Sequence, residues 1–438
     1  MVEEKSSDPW PELRDLPMGR RVEFTDGRGQ TYTGTVVTRH GFLGDRILQL
    51  KLSSGYNVGI RVDPGSSFRL LPDLAREAPE EPSPARPGPA GPAGGWVALL
   101  TTGGTIASRV DYETGGVRPV KGEAEILAFY PELERSGPVR IVPVFDRLSE
   151  DLRPDDWVTL GGHVVTAFRD GATGVVIAHG TDTLGFTAAG LSFLLADLPG
   201  PVVVVGAQRS PDRPSSDGPS NLQAGVQVAR EARLGEVVVV MHAGPSDTRF
   251  AIHRGTWVRK MHSSRRDAFE SRNGPELGGV QDGRVSLGPL ARPPTPGPAR
   301  LDGPIDAHAA LLWSFPGLSA KTARAVALDV RGLVLAGTGL GHVASEHLEW
   351  IREATGRGTL VAMTTQCLGG RADPFVYATG RDLMAAGVLY LDDLLPETAY
   401  AKMVWALGHA ASREGVAELL TIPRAGEFLD RHAGVRGP

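Results

Sequence analysis

The chain has a single cysteine, Cys367, among its 438 residues. One cysteine excludes an internal disulfide, so the sequence does not belong to the disulfide-rich secreted proteins. No apolar run approaches the roughly 18 residues that a membrane-spanning helix needs. The first eight residues are polar and acidic, and we therefore expect no signal peptide. Together these features predict a cytoplasmic protein without membrane contact.

An excess of positive charge is also lacking, since 46 Lys and Arg stand against 51 Asp and Glu, for a net charge of -5. This balance argues against a general nucleic-acid binder. The histidines are dispersed without ligand spacing, so we expect no metal site. Cys367 has no obvious base beside it in the sequence, and we expect it to be a small buried apolar residue.

Glycine and proline are plentiful, and they concentrate in two breaks along the chain. Residues 74–95 form a Pro/Ala/Gly tract with too few apolar side chains to pack, which is typical of an extended spacer. A second proline-rich linker is predicted at residues 291–304. A chain of this length is expected to hold about three domains. The predicted folded units are residues 1–73, 96–290 and 305–438.

The first unit has the pattern of a small β-barrel. Three segments within residues 18–72 partly alternate apolar and polar residues, as half-buried strands do. Asp26-Gly27 and Ser54-Gly55 are turn signals between them. Positive and negative residues balance in this unit, so it is not an obvious nucleic-acid clamp.

From Trp96 onward, short apolar segments alternate with helical patterns, which predicts parallel sheets with helices on their faces. The predicted strands are 96–101, 138–144, 174–178, 201–206 and 236–241, and the predicted helices are 123–130, 155–169, 183–197 and 217–233. After the second linker we expect a strand at 332–336, a helix from about 342, a strand from 359 and two more helices. The predicted fold class is therefore α/β, with a small β-barrel before two α/β domains.

Two predicted strands end in glycine and threonine, in the stretches 101–108 and 179–183. Glycine lets the backbone approach a ligand closely, and a threonine hydroxyl is a nucleophile when a base activates it. Because ligands bind at the carboxyl ends of neighbouring parallel strands, both stretches are expected at one site.

These residues also allow other interpretations. Lysine is a common partner for hydroxyl activation outside histidine-based triads, and Lys260 is the leading candidate. The basic run around Lys260 is also typical of a solvated surface. The residues alone favour this second interpretation. A phosphate cradle is weakly supported, because the full nucleotide fingerprints are missing. Thr181 or Asp182 could instead cap a helix that starts at Thr183. Arg265-Arg266 could contact a partner or RNA, or form solvated ion pairs.

The stretches Thr102-Gly-Gly-Thr105-Ile-Ala-Ser and His179-Gly-Thr181-Asp182-Thr-Leu resemble the two signatures of the bacterial-type L-asparaginase/glutaminase family. This resemblance runs from Trp96 to the C-terminus. The N-terminal unit, with Gly55-Tyr-Asn-Val-Gly-Ile60, resembles the front domain of the D-type subunits of archaeal-type glutamyl-tRNA(Gln) amidotransferases. Further similar stretches lie at 208–217, 253–260, 264–269, 337–343, 365–371 and 395–400.

The resemblance implies a catalytic set of two threonines, an aspartate and a lysine. Thr105 matches the first threonine and is the expected nucleophile. Thr181 matches the second, and Asp182 and Lys260 complete the set, with Lys260 tuning the proton on a threonine hydroxyl.

The resemblance also implies a set of substrate-binding residues. Tyr112 matches a mobile-lid tyrosine, and Ser149 and Glu150 match the segment that clamps the substrate. Glu150 stands where many asparaginases carry glutamine, and its carboxylate would favour an α-ammonium group. Gly104 and Gly180 complete this set, and backbone N–H groups around Gly104 suit an oxyanion hole.

The function implied is that of a glutaminase subunit, which splits glutamine through an acyl-threonine and passes ammonia to an E-type partner chain. That partner would carry Glu-tRNA(Gln) and convert it to Gln-tRNA(Gln). No cofactor is expected in this chain, whereas ATP and Mg²⁺ are expected at the partner. The assembly implied is a homodimer core within a heterotetramer.

Two alternatives remain open at this point. The first is a stand-alone L-asparaginase or glutaminase that hydrolyses free asparagine to aspartate and ammonia, with an accessory barrel. The second is a binding scaffold that has the fold without the activity, which the presence of all four catalytic-type residues disfavours.

Overall fold

The computed structural model describes residues 8–17, 19–37, 46–52, 57–72, 95–103, 108–110, 117–119, 130, 133, 137–195, 197–209 and 216–429. The predicted helix 123–130 and the spacer 74–95 therefore lie almost wholly outside the described residues. Within the described part, no helix combines the length and apolar character needed to cross a membrane.

The described part of the front unit contains one short helix and five strands. They are α1 (Trp10–Arg14), β1 (Arg21–Thr25), β2 (Thr31–Val36), β3 (Ile47–Leu52), β4 (Asn57–Arg61) and β5 (Ser67–Leu70). The strands form an antiparallel sheet in the order β4-β3-β2-β1-β5. Leu13 of α1 packs with Phe24 and Leu48 in a core of its own. The predicted turn at Asp26 is confirmed, because its carboxylate accepts hydrogen bonds from the backbone N–H groups of Arg28 and Gln30.

The second unit contains an eight-stranded sheet. Its strands are β6 (Trp96–Thr101), β9 (Val139–Pro143), β10 (Ala172–Ala178), β11 (Val202–Val205), β12 (Val237–His242), β13 (Arg249–Arg254), β16 (Gly278–Gln281) and β17 (Arg284–Leu287). Their order across the sheet is β17-β16-β13-β12-β11-β10-β6-β9. The five strands from β12 to β9 in this order pair in parallel, as the sequence predicts. The antiparallel strands β13, β16 and β17 at one edge were not predicted.

Two small hairpins lie outside the large sheet. One joins β7 (Ser108–Val110) to β8 (Val117–Pro119), and the other joins β14 (Val258–Lys260) to β15 (Phe269–Ser271). The second hairpin carries Lys260, so its position bears directly on the candidate site.

Helices cover both faces of the large sheet, because its strands are apolar on both sides. They are α2 (Pro154–Arg169), α3 (Leu184–Leu194) and α4 (Gly218–Glu231). Leu100 of β6 packs with Leu160 of α2 on one face. Leu99, the preceding residue, packs with Leu222 of α4 on the opposite face. Three of the four predicted helices are thus confirmed. Helix α3 ends at Leu194, before its predicted end at residue 197, where Asp197 adopts a left-handed φ of 63°.

The C-terminal unit contains a four-stranded parallel sheet. Its strands are β18 (Ala309–Trp313), β19 (Gly332–Gly337), β20 (Leu360–Thr365) and β21 (Leu389–Tyr390), and they lie in chain order. Its helices are α5 (Ala320–Asp329), α6 (Leu348–Gly356), α7 (Ala378–Ala385), α8 (Pro396–His409) and α9 (Arg413–Thr421). The helix expected from about residue 342 begins only at Leu348, after a 3-10 turn over Ser345–His347. Three helices rather than two follow β20.

The expectation of a buried Cys367 is wrong, because this residue is exposed. Strand β20 ends at Thr365, so the chain has already left the core when it reaches the cysteine. Its backbone N–H donates a hydrogen bond to the Thr365 hydroxyl at 3.1 Å.

The proline-rich segment 291–304 carries no helix or strand, yet its backbone is fixed against the second unit. Thr295 N–H donates to the Leu198 carbonyl at 2.9 Å, and Asp302 N–H donates to the Leu194 carbonyl at 2.8 Å. This linker is therefore a packed connection rather than a free spacer.

Candidate active site

The two glycine and threonine stretches meet at the carboxyl edge of the large sheet, as predicted. Strands β6 and β10 are parallel neighbours, with Thr101 opposite Ala178. Thr102 then donates hydrogen bonds to the Ala178 carbonyl from its backbone N–H at 3.1 Å and from its hydroxyl at 3.2 Å. The start of one stretch is thus tied to the strand that leads into the other.

Gly103 is required at the turn after β6. Its φ is +93°, in the left-handed region, and a Cβ there would lie 2.5 Å from the Arg147 carbonyl oxygen. The segment around Arg147 therefore crosses the end of β6 in contact with bare backbone. Gly104, Thr105 and Tyr112 lie outside the described residues, so their expected roles stay predictions.

Lys260 is placed between the predicted threonine and the predicted aspartate. Its Nζ donates hydrogen bonds of 2.8 Å to Thr181 Oγ1 and 2.8 Å to Asp182 Oδ1. Thr181 is buried, and the Lys260 side chain is only 14% exposed, whereas the Asp182 side chain is 70% exposed. The structure thus brings these three residues together, and the interpretation of Lys260 as a solvated surface residue is wrong.

The local fold explains how Lys260 arrives there. It ends the short strand β14, which runs past the start of α3. A Cβ at Gly185 of α3 would lie 3.3 Å from the Val258 carbonyl oxygen, so glycine permits this approach. The lysine side chain therefore reaches Thr181 from a hairpin outside the large sheet.

Ser149 lies against the same loop. It is buried, and a Cβ at Gly180 would lie 2.9 Å from its hydroxyl oxygen. The Thr183 hydroxyl donates to the Ser149 carbonyl at 2.6 Å. Glu150 is exposed beside it and accepts a 3.4 Å hydrogen bond from the Ser149 hydroxyl. Ser149 and Gly180 are thus adjacent, and the Glu150 carboxylate faces solvent.

The expectation that Thr181 or Asp182 caps helix α3 is wrong. The helix begins at Leu184 with Thr183 at its N-cap, and no side chain makes the capping hydrogen bond. The reason is that the Thr183 hydroxyl bonds Ser149 and the Asp182 carboxylate bonds Lys260. Both polar groups therefore bond residues of the site and not the backbone of the helix.

The ring of His179 supports the loop that leads to Thr181. Its ring is fully buried, and Nδ1–H donates to the Gly180 carbonyl at 2.7 Å. Burial lowers the pKa of His179 to about 4, against the opposing effect of that hydrogen bond. The ring is therefore neutral near neutral pH.

The loop after β11 forms the next wall of the site, and the residues that hold it were missed by sequence reasoning. Buried Asp217 accepts hydrogen bonds from the backbone N–H groups of Gln208, at 3.0 Å, and Arg209, at 2.9 Å. Asn221 Nδ2 donates to the Gly206 carbonyl at 3.0 Å. The available signal was Asp-Gly-Pro at 217–219, which is typical of a helix start and does not reveal these contacts.

Arg265 and Arg266 are both engaged in ion pairs. Arg265 binds the Asp267 carboxylate through Nε at 2.8 Å and Nη2 at 2.6 Å. Arg266 lies 3.2 Å from the Asp247 carboxylate. The ion-pair interpretation fits these contacts. Among the described residues, no group of three or more His, Cys, Asp or Glu is arranged to hold a metal ion.

Three family models match the chain. They are "Asparaginase, N-terminal" over residues 96–289, "Glutaminase/Asparaginase C-terminal domain" over residues 308–420, and "GatD N-terminal domain" over residues 17–71. The chain is 44% identical over 392 residues to the D-type subunit of glutamyl-tRNA(Gln) amidotransferase from Saccharolobus islandicus, covering 89% of this chain and 88% of the relative. It is 40% identical over 433 residues to the corresponding protein of Pyrococcus abyssi, covering 96% of this chain and 97% of the relative.

Solved structures of L-asparaginases are similar in fold. The thermostable L-asparaginase from Thermococcus kodakarensis matches with a TM-score of 0.69 and 34% identity, over 76% of this chain and 99% of its own. L-asparaginase I from Vibrio cholerae matches with a TM-score of 0.66 and 29% identity, over 77% of this chain and 100% of its own.

Proposed function

Since this chain belongs to the family of D-type subunits of glutamyl-tRNA(Gln) amidotransferase, we propose that it hydrolyses glutamine and supplies ammonia for the amidation of Glu-tRNA(Gln). The observation that carries this proposal is the hydrogen-bonded set of Thr181, Lys260 and Asp182 at the carboxyl edge of the large sheet. A hydroxyl, an amine and a carboxylate in contact are the groups that a threonine amidohydrolase needs.

The proposed reaction proceeds in two steps. In the first, the hydroxyl oxygen of Thr105 bonds to the side-chain amide carbon of glutamine, and its proton passes into the set around Lys260. The C–N bond then breaks, and the departing nitrogen takes up that proton and leaves as ammonia. In the second, water attacks the acyl-threonine ester, which releases glutamate and restores the hydroxyl.

Lys260 and Asp182 suit the proton transfers in these steps. Nζ lies 2.8 Å from both Thr181 Oγ1 and Asp182 Oδ1, within the range over which a proton moves along a hydrogen bond. The carboxylate also holds the amine in place, as the orienting group of a triad does.

The exposed side of the site fits an amino-acid substrate. Asp182 and Glu150 present carboxylates to solvent at this edge, which favour an α-ammonium group. The hydroxyl of buried Ser149 would turn from its long 3.4 Å bond with Glu150 to donate to the substrate's carboxylate. Because both acidic residues bind the common α-amino group, they do not distinguish glutamine from asparagine.

The partner in this proposal is an E-type protein that carries the tRNA and uses ATP and Mg²⁺, with two copies of this chain at the core of a heterotetramer. The balanced charge of the front unit is consistent with tRNA binding on the partner.

A stand-alone L-asparaginase is the second candidate, and it is supported by the fold similarity to L-asparaginases. The front unit favours the first proposal, because residues 17–71 match the GatD N-terminal domain.

The deciding experiment measures hydrolysis of glutamine and of asparagine by the purified full chain. We expect weak glutaminase activity alone, which rises when the E-type partner and Glu-tRNA(Gln) are both added. Fast asparagine turnover that tRNA does not change would overturn the glutaminase proposal in favour of the asparaginase.

Variants test whether the site catalyses at all. Thr105→Ala and Lys260→Ala should each reduce kcat by about 10³-fold or more. The matched control is Lys321→Ala, since Lys321 is an exposed lysine on α5 in the C-terminal unit. Equal background hydrolysis in all of these proteins would support the non-catalytic scaffold.

A further inference from the structure

A fully buried histidine, His242, lies at the end of β12 with hydrogen bonds at both ring nitrogens. Nδ1 is 2.7 Å from Asn221 Oδ1, and Nε2 is 2.8 Å from Asp247 Oδ1. The ring also packs edge-on against Phe250, with centroids 4.7 Å apart. This histidine is not one of the hydrogen-bonded residues Thr181, Lys260 and Asp182, and the proposed reaction does not use it.

The amide of Asn221 shows that Nδ1 of His242 carries a proton. Asn221 Nδ2 bonds two acceptors, the Gly206 carbonyl at 3.0 Å and the Asp217 carboxylate at 3.1 Å. An NH₂ group is required there, so the amide oxygen must face the histidine. An oxygen accepts, and His242 Nδ1 is therefore the donor.

The other ring nitrogen of His242, Nε2, lies 2.8 Å from the Asp247 carboxylate. Burial raises the pKa of Asp247, but hydrogen bonds from His242 and Ser220 and the charge of Arg266 lower it by more, so the net pKa is below the ordinary value. An ionised carboxylate only accepts. Both nitrogens of the ring therefore face an acceptor, Asn221 Oδ1 on one side and the Asp247 carboxylate on the other.

The Asn221 amide fixes the backbone on which Thr181 rests. Gly206 is held at its carbonyl by Asn221 and at its N–H by the sulfur of Met241, at 3.3 Å. A Cβ at Gly206 would lie 2.7 Å from the Thr181 methyl carbon, so the threonine side chain lies directly over this glycine. The hydroxyl on the same side chain accepts the 2.8 Å hydrogen bond from Lys260.

We propose that His242 is a positioning residue for the amidase site, acting through the amide of Asn221. By donating to Asn221 Oδ1, it orients the amide so that Asn221 Nδ2 donates to the Gly206 carbonyl. Gly206 in turn keeps the Thr181 hydroxyl in hydrogen-bonding position for Lys260. This inference rests on the proposed amidohydrolase function.

Asp247 extends the same arrangement to the lysine side of the site. It accepts from His242 Nε2 and from Arg266, which follows Lys260 in the chain. One buried ring thus joins the wall behind Thr181 to the loop of the hairpin that carries Lys260. Because a displacement of about 1 Å can reduce a rate about 100-fold, fixing both sides has a kinetic consequence.

The kinetic test uses the full chain with His242→Ala and His242→Gln. We expect kcat for glutamine to fall about 10- to 100-fold with KM unchanged, because binding groups stay in place while the threonine loses its alignment. The control is His347→Gln, since His347 is also buried and its ring accepts a hydrogen bond from the Trp350 indole in the C-terminal unit. That variant should keep the parent kcat.

Asp247→Asn tests which nitrogen matters. A neutral ring with its proton on Nδ1 still donates to Asn221, and Nε2 then accepts from the new amide. We expect kcat to fall less than in His242→Ala. An equal fall in the two variants would contradict positioning through Asn221.

The ¹⁵N spectrum of histidine-labelled protein supplies a readout that is independent of activity. We expect a proton on Nδ1 of His242, assigned by the loss of its signals in His242→Gln. An unprotonated Nδ1 would overturn its assignment as the donor to Asn221.

The outcomes separate this inference from the proposed function. If folded His242 variants match the parent kcat while Lys260→Ala is inactive, the positioning role is wrong and the amidohydrolase function stands. If the parent chain hydrolyses neither amide under any condition, both fail. If His242→Ala does not fold, His242→Gln and the ¹⁵N spectrum decide.

Discussion

We predict that two buried histidines, His179 and His253, make this protein less stable in mild acid. His179 lies in the loop before Thr181, and His253 lies in β13 with Nδ1 2.9 Å from the Ser271 hydroxyl. Burial lowers the pKa of each from 6.5 to about 4, and for His253 the positive charge of Arg249 adds to the effect. In the native protein both rings therefore stay neutral at pH values where an exposed histidine is protonated.

The sign of the effect follows from proton binding. Between pH 6.5 and about 4 the unfolded chain binds protons at these histidines and the native protein does not, so protonation favours unfolding. Stability is full above pH 6.5 and falls as the pH drops. The difference in pKa corresponds to about 3 kcal/mol for each histidine once the pH reaches 4. The pKa of His347 is also lowered by burial and acts in the same direction.

The assay is urea unfolding of the full chain at several pH values, comparing the parent with His253→Gln. His253 is chosen because it is not adjacent to Thr181. Between pH 6.5 and about 5, the parent should lose about 2 kcal/mol more unfolding free energy than the variant, since glutamine does not titrate. Equal losses in the two proteins over this range would refute the reasoning, because His253 would then have the same proton affinity folded and unfolded.

The remaining predictions concern two contacts. Lys260→Met and Thr181→Val should each reduce kcat with glutamine by about 10³-fold or more, and the double variant should be no slower than the slower single one, because both act through one hydrogen bond. Multiplied losses in steady-state assays would contradict this. Arg254 and Glu236 form a buried ion pair at 2.7 Å. Arg254→Ala should reduce the unfolding free energy in urea by about 3 to 5 kcal/mol, because it leaves a buried carboxylate unpaired, and adding Glu236→Gln should restore part of that loss. No recovery in the double variant would contradict the unpaired-charge explanation.

The convergence of the two threonine stretches could be predicted from sequence. Each follows a run of apolar residues bounded by glycine, and both runs are long enough to be strands. Parallel neighbours end at the same edge of a sheet, so pairing of Thr101 with Ala178 brings both loops to one place. Local pattern and topology agree here, and this explains why the prediction holds.

The position of Lys260 could not be read from local pattern. Strand β14 has only three residues, and the segment around it is rich in charge, which is equally typical of a solvated surface. What places the lysine is tertiary packing of its hairpin against α3. The antiparallel strands β13, β16 and β17 were missed because no helix separates them from one another. Strands β16 and β17 are also only four residues long and partly exposed.

The role of His242 was also invisible in the sequence. Its strand, residues 237–242, reads as a continuous apolar run, and the histidine is simply the last member. Its partners Asn221 and Asp247 lie on a helix and a loop, at separations that no motif fixes. Only the fold shows that Asn221 and Asp247 face the two nitrogens of one ring.

Glycine backbone lies directly against three parts of the site, namely the Arg147 backbone, Ser149 and the methyl group of Thr181. Gly103, Gly180 and Gly206 each leave no room for a Cβ beside the segment that crosses them. A glycine has no side-chain rotamers, so ordering it costs no side-chain entropy. These glycines therefore hold the neighbouring groups more firmly than a flexible side chain would. The Asp182 carboxylate, by contrast, is 70% exposed, and water weakens its hold on Lys260. A substrate or partner that covers this carboxylate would remove that water and strengthen the ion pair, which gives a physical reason for the rise in activity that we predict on addition of the partner.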